Sequence, residues 1–212
     1  MTTNLKYISA IWFCCMTIAT EHASAQRFAL QGGIENTTIK FDGKPDYIST
    51  KTGFNFGCLG EIPVNNRKTL NINMGLDFTL RGYKEEQKEY EHRPYILHNR
   101  LYMEFPLVLS YRFNIVEDVF SVLPCGGMFF CGFLSISDSD GNEYKPDDDA
   151  YYRDNYGRIK NFNYGLRFGG AVEIVNNIQF AVEKNIGISP VYKDSYTKIT
   201  NIGTRFCIRL FF

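Results

Sequence analysis

The sequence predicts an all-β chain, an eight-stranded antiparallel up-and-down barrel, on three observations. Apolar and polar side chains alternate with a period of two along segment after segment, as they do in a strand with one apolar face. The composition holds 18 Phe, 14 Tyr and 18 Gly, and such aromatic richness favours strands over helices. The connections between the alternating segments run long, short, long, short, long, short, long. That is the order of a meander whose long loops all leave from one end.

Taken in order, residues 1–25 read as a secretory signal peptide. Lys6 is followed by an uncharged, largely apolar run over 7–18 and then by Ala23-Ser24-Ala25, whose small residues suit signal peptidase. Gln26 is the expected first mature residue. The apolar run is too short to anchor a helix in a bilayer. Bulky Phe13 stands where a lipidated cysteine at Cys14 would need a small neighbour. Residues 26–212 then form one domain, of a length that suits one. Lys6 and Glu21 leave together, so the mature chain keeps the formal net charge of zero. It carries no basic surface of the kind that binds nucleic acid.

The first two strands, 27–41 and 52–64, alternate weakly. The third, 70–81, alternates completely: Leu70, Ile72, Met74, Leu76, Phe78 and Leu80 against Asn71, Asn73, Gly75, Asp77, Thr79 and Arg81. The fourth, 101–113, sets Leu101, Met103, Phe105, Leu107, Leu109, Tyr111 and Phe113 against Tyr102, Glu104, Pro106, Val108, Ser110 and Arg112. The fifth, 120–134, is apolar on both parities and has no predicted orientation. The sixth, 161–174, and seventh, 178–188, alternate again. The eighth, 201–212, places Ile202, Thr204, Phe206, Ile208, Leu210 and Phe212 opposite Asn201, Gly203, Arg205, Cys207, Arg209 and Phe211. Short turns are expected at 65–68, 114–118 and at Asn176-Asn177, and long polar loops at 42–50, 84–97, 135–160 and 189–197.

Which face points inward decides between a soluble barrel, apolar inside, and a transmembrane barrel, apolar outside. The polar faces mix Gly53, Gly57, Gly75, Gly165, Gly169 and Gly203 with charges of both signs, as a narrow filled lumen requires. Phe212, Tyr111, Phe113, Phe162 and Tyr164 lie near strand ends on the apolar face, where aromatic girdles sit. The short turns match the periplasmic turns of outer-membrane barrels. The expected lumen charge network comprises Glu35, Glu61, Asp77, Arg81, Glu104, Arg112, Arg167, Glu173, Glu183, Arg205 and Arg209. It is expected to serve as structural filling in place of an apolar core, ranked above a gated polar path. Phe211 is placed inside, as a plug at the periplasmic mouth. Cys58, Cys125, Cys131 and Cys207 are expected to stay free: Cys125 and Cys131 are too far apart along one strand, and Cys58 and Cys207 fall on opposite faces.

The ending NIGTRFCIRLFF resembles the C-terminal assembly signal of bacterial outer-membrane barrels, with Asn201, Gly203, Phe206, Ile208 and terminal Phe212 at its matching positions. Together with LYMEFPLVLSYRF at 101–113 and the Ala-Ser-Ala-Gln cleavage region, the mature chain is similar to the PorT-like outer-membrane β-barrel family, of OmpA/OmpX-like size. The resemblance implies residence in the outer membrane of a Gram-negative bacterium, with outer-membrane lipid around the barrel. It also implies the barrel-assembly machinery and periplasmic chaperones as partners in biogenesis. The implied role is non-enzymatic: structural, adhesive or binding through extracellular loops towards an unidentified extracellular or envelope protein, or assistance in assembly or secretion. A soluble lipocalin-like barrel holding a small apolar ligand is the competing reading, and a lipid A-modifying enzyme comes third.

No catalytic, cofactor or metal residue is assigned. His92 and His98 lie beside the second long loop, and Ser110 is twelve residues from His98 along one strand, too far to act with it. Asp138, Asp140 and Asn142 begin like a calcium loop, but Gly141 is misplaced and no closing glutamate follows. In the third long loop, Asp147, Asp148, Asp149, Tyr151, Tyr152 and Tyr156 form the candidate contact surface.

Overall fold

The computed structural model describes residues 26–40, 48–86, 95–137, 143–144, 160–192 and 198–212. The expected signal peptide lies outside the described residues. Eight long strands build the wall: β1 (Arg27–Lys40), β2 (Ile48–Pro63), β3 (Leu70–Glu86), β4 (Tyr95–Tyr111), β5 (Phe120–Ser137), β6 (Phe162–Ile174), β7 (Ile178–Gly187) and β8 (Thr200–Phe211). Two short pieces extend them. Phe113–Val116 continues β4 beyond Arg112, and Glu143–Tyr144 pairs back onto the end of β5.

Each strand pairs antiparallel with its neighbours in sequence, and β8 pairs with β1 from Ala29↔Phe211 to Lys40↔Thr200. The sheet is therefore closed and has no free edge. Directly opposed partners run around the wall as Gln179, Arg209, Gln31, Gly57, Asp77, Glu104, Cys131 and Asn163. The row starts at Gln179, whose own partner on β6 is Glu173, and reaches β6 at Asn163, ten residues nearer the loop end (173 − 163). A shear of this size over eight strands tilts them by about 40°. Each step along such a row therefore climbs about 3 Å toward the loop end.

The alternation sorts the side chains by face. Leu30, Ile34, Phe54, Phe56, Leu107, Leu109, Phe168, Phe206, Ile208 and Leu210 are exposed on the outside, while the polar sets are buried inside. Phe56 stacks on Phe78 at 5.3 Å across the outer surface. Strand β5, unoriented by sequence, turns Leu123, Phe129 and Cys131 inward and leaves Val122, Met128 and Leu134 on the exterior. The four cysteines of the described chain are free, with Cys58 exposed and Cys131 and Cys207 buried.

Several inward glycines exist because neighbouring strands approach them closely. A Cβ on Gly127 would lie 2.6 Å from Val108 Cα and against the Leu107 carbonyl; one on Gly165 would meet the Phe129 ring. Such contacts leave room only for hydrogen at these positions.

Three expectations shift. The hairpin expected at Asn176-Asn177 sits one residue earlier, with φ of 53° at Val175 and 56° at Asn176. There the Val175 N–H donates to the Val119 carbonyl of the adjacent turn, at 2.8 Å, which holds the two turns together. The second long loop is shorter than expected because β3 and β4 stay paired up to Glu86↔Tyr95. The fourth long loop does not simply project. Val191 and Tyr192, each 1 % exposed, turn in over the mouth and pack with Ile39, Ile48, Tyr83 and Ile199. Backbone bonds from Val191 N–H to Ile199 C=O and from Lys160 N–H to Val191 C=O, both 2.8 Å, hold that segment down.

Candidate functional site

The interior is filled in three layers, each built from alternate residues of several strands. At the turn end, Arg27 and Arg112 face Glu61 and Glu173. Arg112 Nη2 lies 2.7 Å from Glu61 and 3.2 Å from Glu173, and Arg27 Nη1 reaches the same two carboxylates at 3.2 and 3.1 Å. The Arg27 guanidinium also stacks 4.1 Å from the Phe211 ring centroid. Phe211 is buried with Ala29 and Leu59, so it points into the barrel and closes this mouth.

The middle layer holds Glu35, Asp77, Glu104 and Glu183 against Arg81, Arg167, Arg205 and Arg209. Glu104 is fully buried and accepts from three arginines: Arg81 Nη2, Arg167 Nη2 and, at 3.2 Å, Arg205 Nη1. Arg205 also donates to Asp77 at 3.1 Å and to Asn55 at 2.9 Å. Arg81 Nε donates to Glu35 at 3.1 Å, and Arg209 Nε donates to Gln31 at 2.9 Å. Asn185 links two of these groups, accepting from Arg167 Nε at 2.9 Å and donating to Glu35 at 2.8 Å. Charges balance within each ionic layer, two against two and four against four. That balance is what burial of so many ions requires. A cavity of about 10 Å³, about the size of one water, lies between the layers beside Glu61, Ser110, Leu123 and Gln179.

At the loop end the filling becomes aromatic. The Phe129 ring lies against the Arg81 and Arg167 guanidinium groups, at 5.2 and 5.7 Å. Above it Arg100 is enclosed by Tyr83, Tyr102 and Tyr192: its Nη2 donates to the Tyr192 hydroxyl, and two of the rings stand 5.2 and 5.1 Å away. The segment bearing Val191 and Tyr192 caps this layer.

All eleven charges read from the sequence thus face the interior, in two layers rather than one continuous network. Arg27, Arg100, Gln31, Asn55, Gln179, Asn185 and Phe129 are the contributors that sequence reasoning missed. Arg27 and Gln31 share the inward parity of Glu35 and were readable from it. Arg100 was hidden because it fell between the expected loop 84–97 and the expected strand 101–113, and Phe129 because β5 alternates so poorly.

The family model described as outer membrane protein beta-barrel domain matches residues 22–193. The chain belongs to this family.

An outer-membrane barrel places the apolar exterior in lipid. The aromatic ends of its strands then meet the membrane surface: Phe212, Tyr111 and Phe113 at the turn end, Phe162 and Tyr164 at the loop end, all exposed. No curated protein matches the sequence. Among solved structures, Neisserial surface protein A resembles this barrel with 11% identity over 87% of this chain and 97% of that one, at a TM-score of 0.50. The Yersinia pestis attachment invasion locus protein Ail, solved with the heparin analogue sucrose octasulfate, is 14% identical over 88% of this chain and 99% of its own, at 0.44. The outer membrane enzyme PagL is 10% identical over 84% and 98%, at 0.41. At such identities the likeness concerns fold alone.

A lipocalin-type lumen is contradicted by the barrel's charged interior and apolar exterior. Ser110 is buried and its hydroxyl accepts from Asn73 Nδ2 at 2.7 Å, at the opposite end of β4 from His98. His92 and the His98 side chain lie outside the described residues, as do Asp138, Asp140 and Asn142. The same holds for the candidate contact surface of Asp147, Asp148, Asp149, Tyr151, Tyr152 and Tyr156. Of the C-terminal signal positions, Phe206, Ile208 and Phe212 face lipid, Gly203 faces inward, and Asn201 lies at the loop end of β8.

Proposed function

We propose that the protein is a non-enzymatic, PorT-like outer-membrane barrel, closed to diffusion, that works through its extracellular end. That end serves as a structural, adhesive or binding surface or assists assembly or secretion. In this reading a cleaved signal peptide exports the chain, periplasmic chaperones escort it, and the barrel-assembly machinery reads the last strand. Phe206, Ile208 and Phe212 suit that last step because they stand on the surface a membrane-embedded machine can touch. The observation that carries the reading is the filling of the lumen by two balanced ionic layers under an aromatic cap. Each of the six arginines and six carboxylates in those layers that could serve transport or acid–base work is engaged with partners of the opposite charge: Arg81, Arg167, Arg205 and Arg209 with Glu35, Asp77, Glu104 and Glu183 above, Arg27 and Arg112 with Glu61 and Glu173 below.

Two measurements test it. In planar lipid bilayers the purified barrel is expected to stay electrically silent; steady, large openings would refute closure. Lipid A extracted from cells overproducing the protein is expected to be chemically unchanged, and a new lipid A species that depends on the protein would make it an enzyme.

A further inference from the structure

One column of the lipid-facing surface breaks the apolar rule. On β7 and the residue just past its end the outward side chains, from the turn end upward, are Ile178, Phe180, Val182, Lys184, Ile186 and Ile188. Lys184 therefore stands midway up the belt, with three apolar residues below and two above. A lipid-facing lysine is most costly at this depth, and an ionisable residue within a membrane segment marks a site with a partner.

Lys184 is one member of a polar row. Its directly opposed neighbour on β8 is Thr204, whose neighbour on β1 is Asn36, whose neighbour on β2 is Thr52. The Lys184 ammonium donates to the Thr204 hydroxyl at 3.2 Å, and the Thr52 hydroxyl donates to Asn36 Oδ1 at 2.7 Å. Because rows climb about 3 Å per strand in this direction, the four residues form a stair from mid-belt to the outer surface of the membrane. Lys40 stands exposed two turns of the pleat above Asn36 on β1.

What this stair offers is hydrogen-bond donors. Two ammonium hydrogens of Lys184, the Thr204 hydroxyl hydrogen and the Asn36 amide hydrogens have no protein acceptor among the described residues. The fitting partner is an anion rich in acceptors, and lysine can raise its ammonium toward a headgroup along its own stem. A second copy of the chain fits poorly. The outward residues of the described belt include no carboxylate, so a two-fold contact here would give the Lys184 ammonium groups no counter-charge. We propose that the β7–β8–β1–β2 face seats the phosphate headgroup of a lipid in the leaflet on the loop side, with Lys184 as its charge anchor and Thr204 and Asn36 as flanking donors.

The test is native mass spectrometry of the delipidated barrel offered dioleoyl phosphatidic acid or dioleoylglycerol, which share their tails and differ in the phosphate. The wild type is expected to retain phosphatidic acid about tenfold more than Lys184→Met does, as befits one charge-assisted hydrogen-bond donor. Lys184→Arg should retain it nearly as well as wild type, and dioleoylglycerol should bind equally weakly to all three. Heat-modifiable gel migration confirms that each variant is folded, and Asn36→Leu supplies a second, uncharged perturbation expected to weaken retention a few-fold. Equal retention of phosphatidic acid by wild type and Lys184→Met would overturn the proposal, as would equal retention of the two lipids by the wild type. So would a two-chain mass that Lys184→Met abolishes, which would assign the face to a second copy.

Discussion

Replacing Glu104 by glutamine is expected to destabilise the barrel by about 3–5 kcal/mol, the cost of stranding buried charge. The substitution keeps the shape of the side chain and removes the carboxylate that Arg81, Arg167 and Arg205 share. Asp77, Glu35 and Glu183 remain, so four guanidinium groups would face three carboxylates, all of them buried. Charge balance, rather than loss of one hydrogen bond, makes this effect large. The urea midpoint followed by circular dichroism in detergent micelles measures it. The double variant Glu104→Gln with Arg81→Gln restores the balance and is expected to recover about half of the loss, a coupling of about 2 kcal/mol for groups in direct contact. A single variant as stable as wild type would show that the middle layer is a solvated set of charges instead of a buried one.

The second large effect is steric, and two adjacent glycines isolate it. Gly127→Val should prevent recovery of folded barrel, because the new Cβ falls 2.6 Å from Val108 Cα and against the Leu107 carbonyl, both backbone atoms of β4. Overpacking against backbone costs roughly 3 kcal/mol or more, since no rotamer can relieve it. Gly126→Val adds the same atoms one residue earlier, on the outside, where a Cβ meets nothing within 4 Å. Its expected change in stability is about 0.5 kcal/mol or less. Heat-modifiable gel migration reads both: a folded, fast-migrating band for Gly126→Val, and none for Gly127→Val. Similar behaviour of the two variants would mean that β5 does not hold the orientation described.

These two predictions fall on opposite sides of what could be read in advance. Glu104 was legible, because Leu101, Met103 and Phe105 flank it with a clean alternation and parity assigns it to the interior. Gly127 was not. It lies in a strand where Leu123 and Phe129 share the inward face with small residues, so neither parity is polar. Phe129 can turn inward only because Gly165 stands directly opposite it on β6 and leaves room for the ring. No inspection of β5 by itself could reveal that pairing. Arg100 was missed for a related reason: Lys84 to Leu97 is polar enough to suggest a loop, so the fourth strand was expected to begin only at Leu101, yet strand pairing runs through Arg81↔Arg100 up to Glu86↔Tyr95. Tyr192 was missed because it lies in a polar loop and is buried only once the barrel mouth exists to receive it.

The sequence by itself determined the number of long strands, the faces of seven of them, the free state of the cysteines and the inward set of eleven charges. All of these follow from the two-residue period of a pleated strand, which is a local property of the chain. Only the tertiary structure decided the shear of ten residues, the division of the charges into two balanced layers, the orientation of β5 and the polar stair from Lys184 to Thr52. Each of these depends on which residues stand opposite one another across different strands. That register is set when the sheet closes on itself and its buried charges must find partners, and neither condition is written in any single strand.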